Sequence, residues 1–154
     1  MKRVLFVCLG NICRSPAAEG VMRRALEDTG MMDKYYIDSA GLNGLHVGNP
    51  PDRRMLAAAA ERGISLDGIT ARPFHPSDFG RYDYVVGMDL SHLNALERMK
   101  PKDARASVSL LMDHVEGART REVPDPYYGE GRDFNYALDL IEAGVGAFID
   151  GLRR

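Results

Sequence analysis

The segment Val4–Ser15, VLFVCLGNICRS, constrains this chain more than any other. Val4 to Val7 is a short apolar run of the kind that forms a buried strand, and it stops at Cys8, where Gly10 and Asn11 permit a turn. The chain restarts at Ser15-Pro16, with serine expected as the helix N-cap and proline at the first helical position. Strand, tight loop and helix N-terminus thus follow one another directly. Cys8 and Arg14 bracket the loop.

A loop of this kind, Leu9, Gly10, Asn11, Ile12 and Cys13 ahead of a helix, can turn successive backbone N–H groups inward as an anion nest. The positive end of the helix lies behind it and a guanidinium at its rim, which suits a tetrahedral oxyanion. Donors that hold a phosphate also stabilise a thiolate, so Cys8 is a candidate nucleophile towards phosphorus. Read only as a buried strand-end residue, Cys8 leaves the Gly-Asn turn, Arg14 and the Ser-Pro helix start without a reason. Neither G-x-G-x-x-G nor G-K-[ST] is present, which sets a nucleotide loop aside.

With these residues in view, the chain resembles the low-molecular-weight protein tyrosine phosphatases. Their opening motif V-C-x-G-N-[IT]-C-R-S stands here as Val7-Cys8-Leu9-Gly10-Asn11-Ile12-Cys13-Arg14-Ser15, and their second signature as Asp125-Pro126-Tyr127-Tyr128-Gly129. The resemblance runs nearly end to end, with both motifs in the family's order.

A length of 154 residues suits a single domain, 1–154, able to bury roughly two thirds of its unfolded surface. A net charge of −2 argues against nucleic acid and membrane surfaces as partners, so attraction to an anion has to be local. Lys2-Arg3 before the first apolar run faintly imitates a secretion signal, but the run is short and broken by Asn11 and Arg14, and a first strand is expected instead. A cytoplasmic protein is expected, in a reducing compartment that leaves Cys8 free to react.

Along the chain, Pro16–Gly30 reads as a helix with Ala18, Val21, Met22, Ala25 and Leu26 on its apolar face. Tyr35–Ile37 is a second strand running into Asp38-Ser39-Ala40-Gly41, followed by a Gly/Asn/Pro-rich loop to Pro50. Pro51–Arg62 is a second helix, Phe74–Gly80 irregular or a short helix, Tyr84–Met88 a third strand, Leu90–Met99 a third long helix and Ala106–Leu111 a fourth strand. After a polar loop from Glu116 to Arg132, apolar residues from Phe134 to Leu152 recur at helical spacing and predict a helix covering the sheet. The alternation predicts an α/β fold with a doubly wound parallel sheet and a ligand site at the carboxyl ends of its strands. The resemblance implies four strands in the flavodoxin-like order 2-1-3-4, with helices on both faces.

Phosphoryl transfer from an aryl ester needs a nucleophile in line with the leaving oxygen, cationic and N–H contacts to the equatorial oxygens, and an acid for the phenolate. Cys8 and Arg14 fill the first two roles, and the resemblance gives the third to Asp125, with Pro126 stiffening its turn. It also implies a supporting network in which Asn11, in a left-handed conformation, is tied to Ser15 and Ser39. Ser15 could in addition donate to the Cys8 sulfur. Thr70 stands where the family often has His. Asp89, after the third strand, is expected to support the loop rather than act as an acid. Leu45 and His46 match the family's variable specificity loop, with His46 read as an exposed loop residue. Tyr127 and Tyr128 are either core aromatics or walls of a slot for the substrate ring. His75, His92 and His114 show no metal-ligand spacing, so neither metal nor cofactor is expected.

The implied activity is hydrolysis of phosphotyrosine through a phosphocysteine. The implied partners are a tyrosine-phosphorylated protein and the kinase that opposes this activity, with the chain a monomer or weak dimer. The scaffold also hosts arsenate reductases, which need further cysteines, whereas Cys8 and Cys13 are the only two here. A phosphoarginine branch typically carries Thr at the position of Ile12, whose extra methyls would crowd a guanidinium and tolerate an aryl ring. A noncatalytic phosphotyrosine-binding module would need neither the thiol nor Asp125. Cys13 is either a small apolar filler or a second thiol that protects oxidised Cys8 and makes the enzyme redox-regulated.

Overall fold

The computed structural model describes Met1–Arg154. Strand β1, Lys2–Cys8, starts earlier than its apolar run because Lys2 and Arg3 continue the ladder with Tyr35 and Tyr36 of β2, Tyr35–Gly41. β3 is Tyr84–Gly87 and β4 is Ser107–Leu110. The sheet is four-stranded and all-parallel in the order β2-β1-β3-β4, as the resemblance implied.

Five helices complete the chain: α1 Arg14–Asp28, α2 Arg53–Glu61, α3 Asp78–Arg81, α4 Leu90–Met99 and α5 Gly131–Leu152. α1 ends in a Schellman turn, with Gly30 at φ 69°, its N–H on the Glu27 carbonyl and that of Met31 on Leu26. α2 begins after Asp52, whose carboxylate accepts from the Arg54 N–H at 2.8 Å.

Side chains alternate along β1 and so serve two cores. Val4, Phe6 and Cys8 face a large one built with Met22 and Leu26 of α1, Met55 of α2 and Phe134, Ile141 and Phe148 of α5. Leu5 and Val7 face a smaller one with Phe79 of α3 and Leu96 of α4. Helices therefore cover both faces, and a slip of one residue in β1 would exchange the two sets.

Two strands are shorter at their ends than the apolar runs suggest. Met88 lies past β3 because its N–H donates to His92 Nδ1 instead of to a strand. Leu111 leaves β4 in a 3-10 turn, Leu111–His114, that drives it against Gly144 of α5, where a Cβ would fall 2.6 Å from Leu111. β1 and β3 are adjacent but send their chains on to opposite sides, and the crevice at their carboxyl ends is where such sheets bind ligands.

Candidate active site

Between β1 and α1 the chain curls through Asn11, which at φ 58° is the one non-glycine residue with a left-handed backbone. None of the five backbone N–H groups from Leu9 to Cys13 donates to another group of the protein. The loop is pinned from outside instead: the Cys8, Leu9 and Ile12 carbonyls accept from the N–H groups of Leu42, Asn43 and Asp52. Five unspent N–H donors thus lie in the pinned loop that follows Cys8, whose residue is only 3% exposed.

Ser15 is not the N-cap that its sequence position suggested. The helix already begins at Arg14, behind a Cys13 cap that makes no side-chain hydrogen bond, and Ser15 sits inside the first turn. Its hydroxyl is used elsewhere: Ser15 Oγ lies 3.0 Å from Cys8 Sγ. The Arg72 N–H donates to Asn11 Oδ1 and so fixes the amide, leaving Asn11 Nδ2 to donate to Ser15 Oγ at 2.8 Å and Ser39 Oγ at 3.0 Å. With its oxygen accepting from Asn11, the Ser15 hydroxyl is left to donate to the sulfur.

Ser39 passes its own proton to Glu19 Oε1 at 2.7 Å. Glu19 is buried on α1, one turn after Ser15, and burial pushes its carboxyl up while the hydrogen bonds from Ser39 and Arg23 oppose that shift. Thr70 is exposed, and the network ends on Glu19 rather than on a histidine at that position.

Arg14 is 2% exposed, and one of its nitrogens is fully committed. Nη1 donates to Asp89 Oδ2 at 2.7 Å and to the Val123 carbonyl at 3.0 Å. Nε has no protein partner, and Nη2 lies 3.5 Å from Asp125 Oδ2 without a hydrogen bond to it. The edge formed by Nε and Nη2 therefore stays free for two oxygens of one anion. Asp89 thus contacts the guanidinium of Arg14 directly. Burial opposes its ionisation, but hydrogen bonds from Ser91 and Arg14 hold its carboxyl at about 2, so it stays an anion opposite Arg14.

Asp125 reaches the cleft on a loop anchored just upstream, where the Val123 N–H donates to the Met88 carbonyl at the end of β3. Asp125 Oδ1 accepts from the Tyr127 N–H at 3.1 Å, an Asx turn that leaves Oδ2 towards the cleft. Arg54 fastens the far side: its guanidinium donates to the Tyr127 carbonyl and to Asp52, and stacks over the Phe134 ring at 4.6 Å. Asp52 in turn holds Ile12, so one residue pair joins the Cys8–Arg14 loop to the Asp125 loop.

The resulting cleft, about 120 Å³, opens over Cys8 and is lined by the loop, Arg14, Asn43, Leu45, His46, Asp125, Tyr127 and Tyr128. Tyr128 is 93% exposed and packs edge-on to Tyr127 at 4.9 Å, so it is a wall and not a core aromatic. Leu45 is exposed at the rim. His46 faces Tyr127 at 6.2 Å between ring centres, and its ring makes no hydrogen bond within the protein.

Asn11, Ser15, Ser39 and Asp89 stand behind the cleft, in support of it. The sequence reading missed Glu19, Arg72, Asp52, Arg54, Asn43 and His92. For His92 a signal existed, since Asp-x-x-His places it three residues after the cap of α4. For Glu19 the helical spacing from Ser15 was the available sign.

Comparison with known proteins places this architecture among phosphatases. The family of low molecular weight phosphotyrosine protein phosphatases matches residues 3–154. The low molecular weight protein-tyrosine-phosphatase YfkJ of Bacillus subtilis is 37% identical over 154 residues, covering 100% of this chain and 97% of the relative. The human low molecular weight phosphotyrosine protein phosphatase is 40% identical over 151 residues, covering 97% and 94%. Among solved structures, a protein tyrosine phosphatase from Entamoeba histolytica with Hepes in its active site superposes with a TM-score of 0.94 at 38% identity, covering 99% of this chain and 97% of the other. A Drosophila arginine phosphatase superposes at 0.92 with 31% identity, covering 100% and 99%.

Proposed function

The chain belongs to the low molecular weight phosphotyrosine protein phosphatase family, and from that premise we propose how its residues divide the work of hydrolysing phosphotyrosine. One catalytic unit spans residues 1–154. The Cys8 thiolate attacks phosphorus while the five loop N–H groups and the Nε/Nη2 edge of Arg14 take the equatorial oxygens. Asp125 gives its proton to the departing phenolate, and as a carboxylate then takes one from the water that attacks phosphocysteine. The Ser15 hydroxyl and the loop N–H groups receive the sulfur's returning charge. The observation that carries this division is the run of five unspent N–H donors between Cys8 and Arg14, with the Nε/Nη2 edge of Arg14 left free.

Tyr127, Tyr128, Leu45 and His46 wall the slot for an aryl ring. Proteins phosphorylated on tyrosine are its substrates, and the reducing cytoplasm is the compartment that keeps Cys8 active.

Phosphoarginine is the competing substrate, given the likeness to the Drosophila arginine phosphatase. Ile12 decides between them, because it is 9% exposed, lines the cleft and offers only methyls where a guanidinium needs acceptors. Ile12→Thr is expected to move the ratio of kcat/KM for phosphotyrosine over phosphoarginine peptides about tenfold towards phosphoarginine, the scale of gaining a polar contact and losing apolar wall. A ratio that stays put transfers selectivity to Leu45 and Tyr128.

Cys13 supplies redox protection in this reading. Peroxide takes two electrons from the Cys8 thiolate, giving a sulfenic acid and hydroxide; the Cys13 thiol then displaces water and a disulfide forms. Burial, with the negative charges of Asp52, Cys8 and Asp125, pushes the Cys13 thiol well up, so the second step is slow. After peroxide and then dithiothreitol, wild type should regain activity and Cys13→Ser should not. Equal recovery returns Cys13 to a packing role.

A further inference from the structure

His92 takes no part in the chemistry just described, yet it is 1% exposed and lies against the guanidinium on which that chemistry depends. It occupies the third position of α4, behind the Asp89 cap, and the two residues reciprocate. The His92 N–H donates to Asp89 Oδ1 at 3.1 Å, while His92 Nδ1 accepts the N–H of Asp89 at 3.2 Å and that of Met88 at 3.1 Å. Gly87 leaves the room for this, since a Cβ there would stand 3.0 Å from that of His92.

Two donors on Nδ1 fix the tautomer, so the neutral ring carries its hydrogen on Nε2. Nε2 lies 3.4 Å from Arg14 Nη2 and 3.5 Å from Asp89 Oδ2. An Nε2–H cannot accept from Nη2. The imidazole therefore blocks the space behind the guanidinium without consuming the donor that the substrate needs, and its grip on the Asp89 backbone aims the carboxylate that holds Nη1.

We propose that His92 is a positioning residue for Arg14: by accepting the Met88 and Asp89 N–H groups on Nδ1, it holds Asp89 against Nη1 and keeps Nη2 free for an oxyanion. The proposal rests on Arg14 being the oxyanion-binding guanidinium. It makes the anion site sensitive to acid, because a second proton on the ring would have to sit on Nδ1, facing two N–H donors, and would break the reciprocal cap. The charged groups facing the ring are Arg14 of α1, Asp89 at the start of α4 and Asp125 of the acid loop. Burial first and the Arg14 charge second hold the imidazole down at about 4, with the two carboxylates opposing.

The test is sulfate binding by calorimetry in the Cys8→Ser protein, since sulfate keeps its charge across the range used. At pH 7, adding His92→Ala should weaken sulfate on the order of tenfold, the scale of a misaligned oxyanion donor. Adding His92→Asn should restore most of the affinity, because Asn Oδ1 can accept the same two N–H groups. Between pH 7 and 4 the histidine protein should lose about twofold more affinity than the asparagine protein, as half its rings become protonated near pH 4. In otherwise wild-type enzyme, His92→Ala should raise KM for para-nitrophenyl phosphate more than it lowers kcat, and His92→Asn should reverse this. Unchanged sulfate affinity in a folded His92→Ala protein, equal losses in the alanine and asparagine variants, or identical pH profiles for histidine and asparagine each overturn the proposal. Should Arg14→Ala in the same background bind sulfate normally, the assignment of Arg14 is what fails.

Discussion

Cys8→Ser is expected to abolish turnover of para-nitrophenyl phosphate, by roughly 10⁵-fold or more, because a serine hydroxyl in this loop has no base beside it to make it a nucleophile. Ser15 Oγ, 3.0 Å from the sulfur, is a donor to it and not a base. Anion binding should survive within about threefold, since the loop N–H groups and Arg14 owe their geometry to bonds that do not involve the thiol. The Cys8 carbonyl still accepts from Leu42, and Asn11 stays held by Arg72, Ser15 and Ser39. Turnover measured beside sulfate calorimetry on one preparation separates the two effects. A serine variant keeping more than about a hundredth of wild-type activity rules out attack by Cys8.

Asp125→Asn should lower kcat/KM, which reports the first step alone, by about 10²- to 10⁴-fold for phosphotyrosine peptides and far less for strongly acidic phenols as leaving groups. Asn keeps an oxygen for the Tyr127 N–H, so the Asx turn survives while the proton source of the first step and the base of the second are lost. Arg54 goes on holding the Tyr127 carbonyl, and the Val123 N–H goes on holding Met88. The measurement is a series of aryl phosphates, plotting rate against leaving-group basicity for both proteins. A steeper dependence in the variant identifies the acid, and parallel lines take Asp125 out of that role.

The parts of the fold that could be read in the sequence are those specified by local chemistry. The strand-loop-helix beginning at Val4 is written in adjacent residues, and the covering helix in its own periodicity from Phe134, although it starts three residues earlier at Gly131. Helix starts were less legible. Ser15 has the residue type of an N-cap, but the competing demand of Cys8 Sγ and Asn11 Nδ2 for its hydroxyl moved the helix start back to Arg14. Strand ends at Met88 and Leu111 were misread because apolar character extends past the point where another partner, His92 Nδ1 or Gly144, takes the backbone or side chain away. In the site, the motifs name Cys8, Arg14 and Asp125, which the structure brings to one cleft. Glu19, Arg54 and His92 do not, since each works through contacts between elements distant in sequence, and a charged residue on a helix looks solvated until its neighbours are known.

Arg14 Nη1 spans Asp89 and the Val123 carbonyl, so the guanidinium is held by chain that is synthesised long after it. On a ribosome Cys8 and Arg14 emerge first and the residues that hold Arg14 much later. Strand β1 cannot complete both of its parallel pairings until β3 is made, and the acid loop has no anchor until the Met88 carbonyl is in place to receive the Val123 N–H. Parallel pairing of distant segments is a late event in folding. An incomplete chain therefore carries Cys8 without the donors that would activate it. On the proposed mechanism, phosphatase activity then reports protein in which the first loop, the end of β3 and the Asp125 loop have all met.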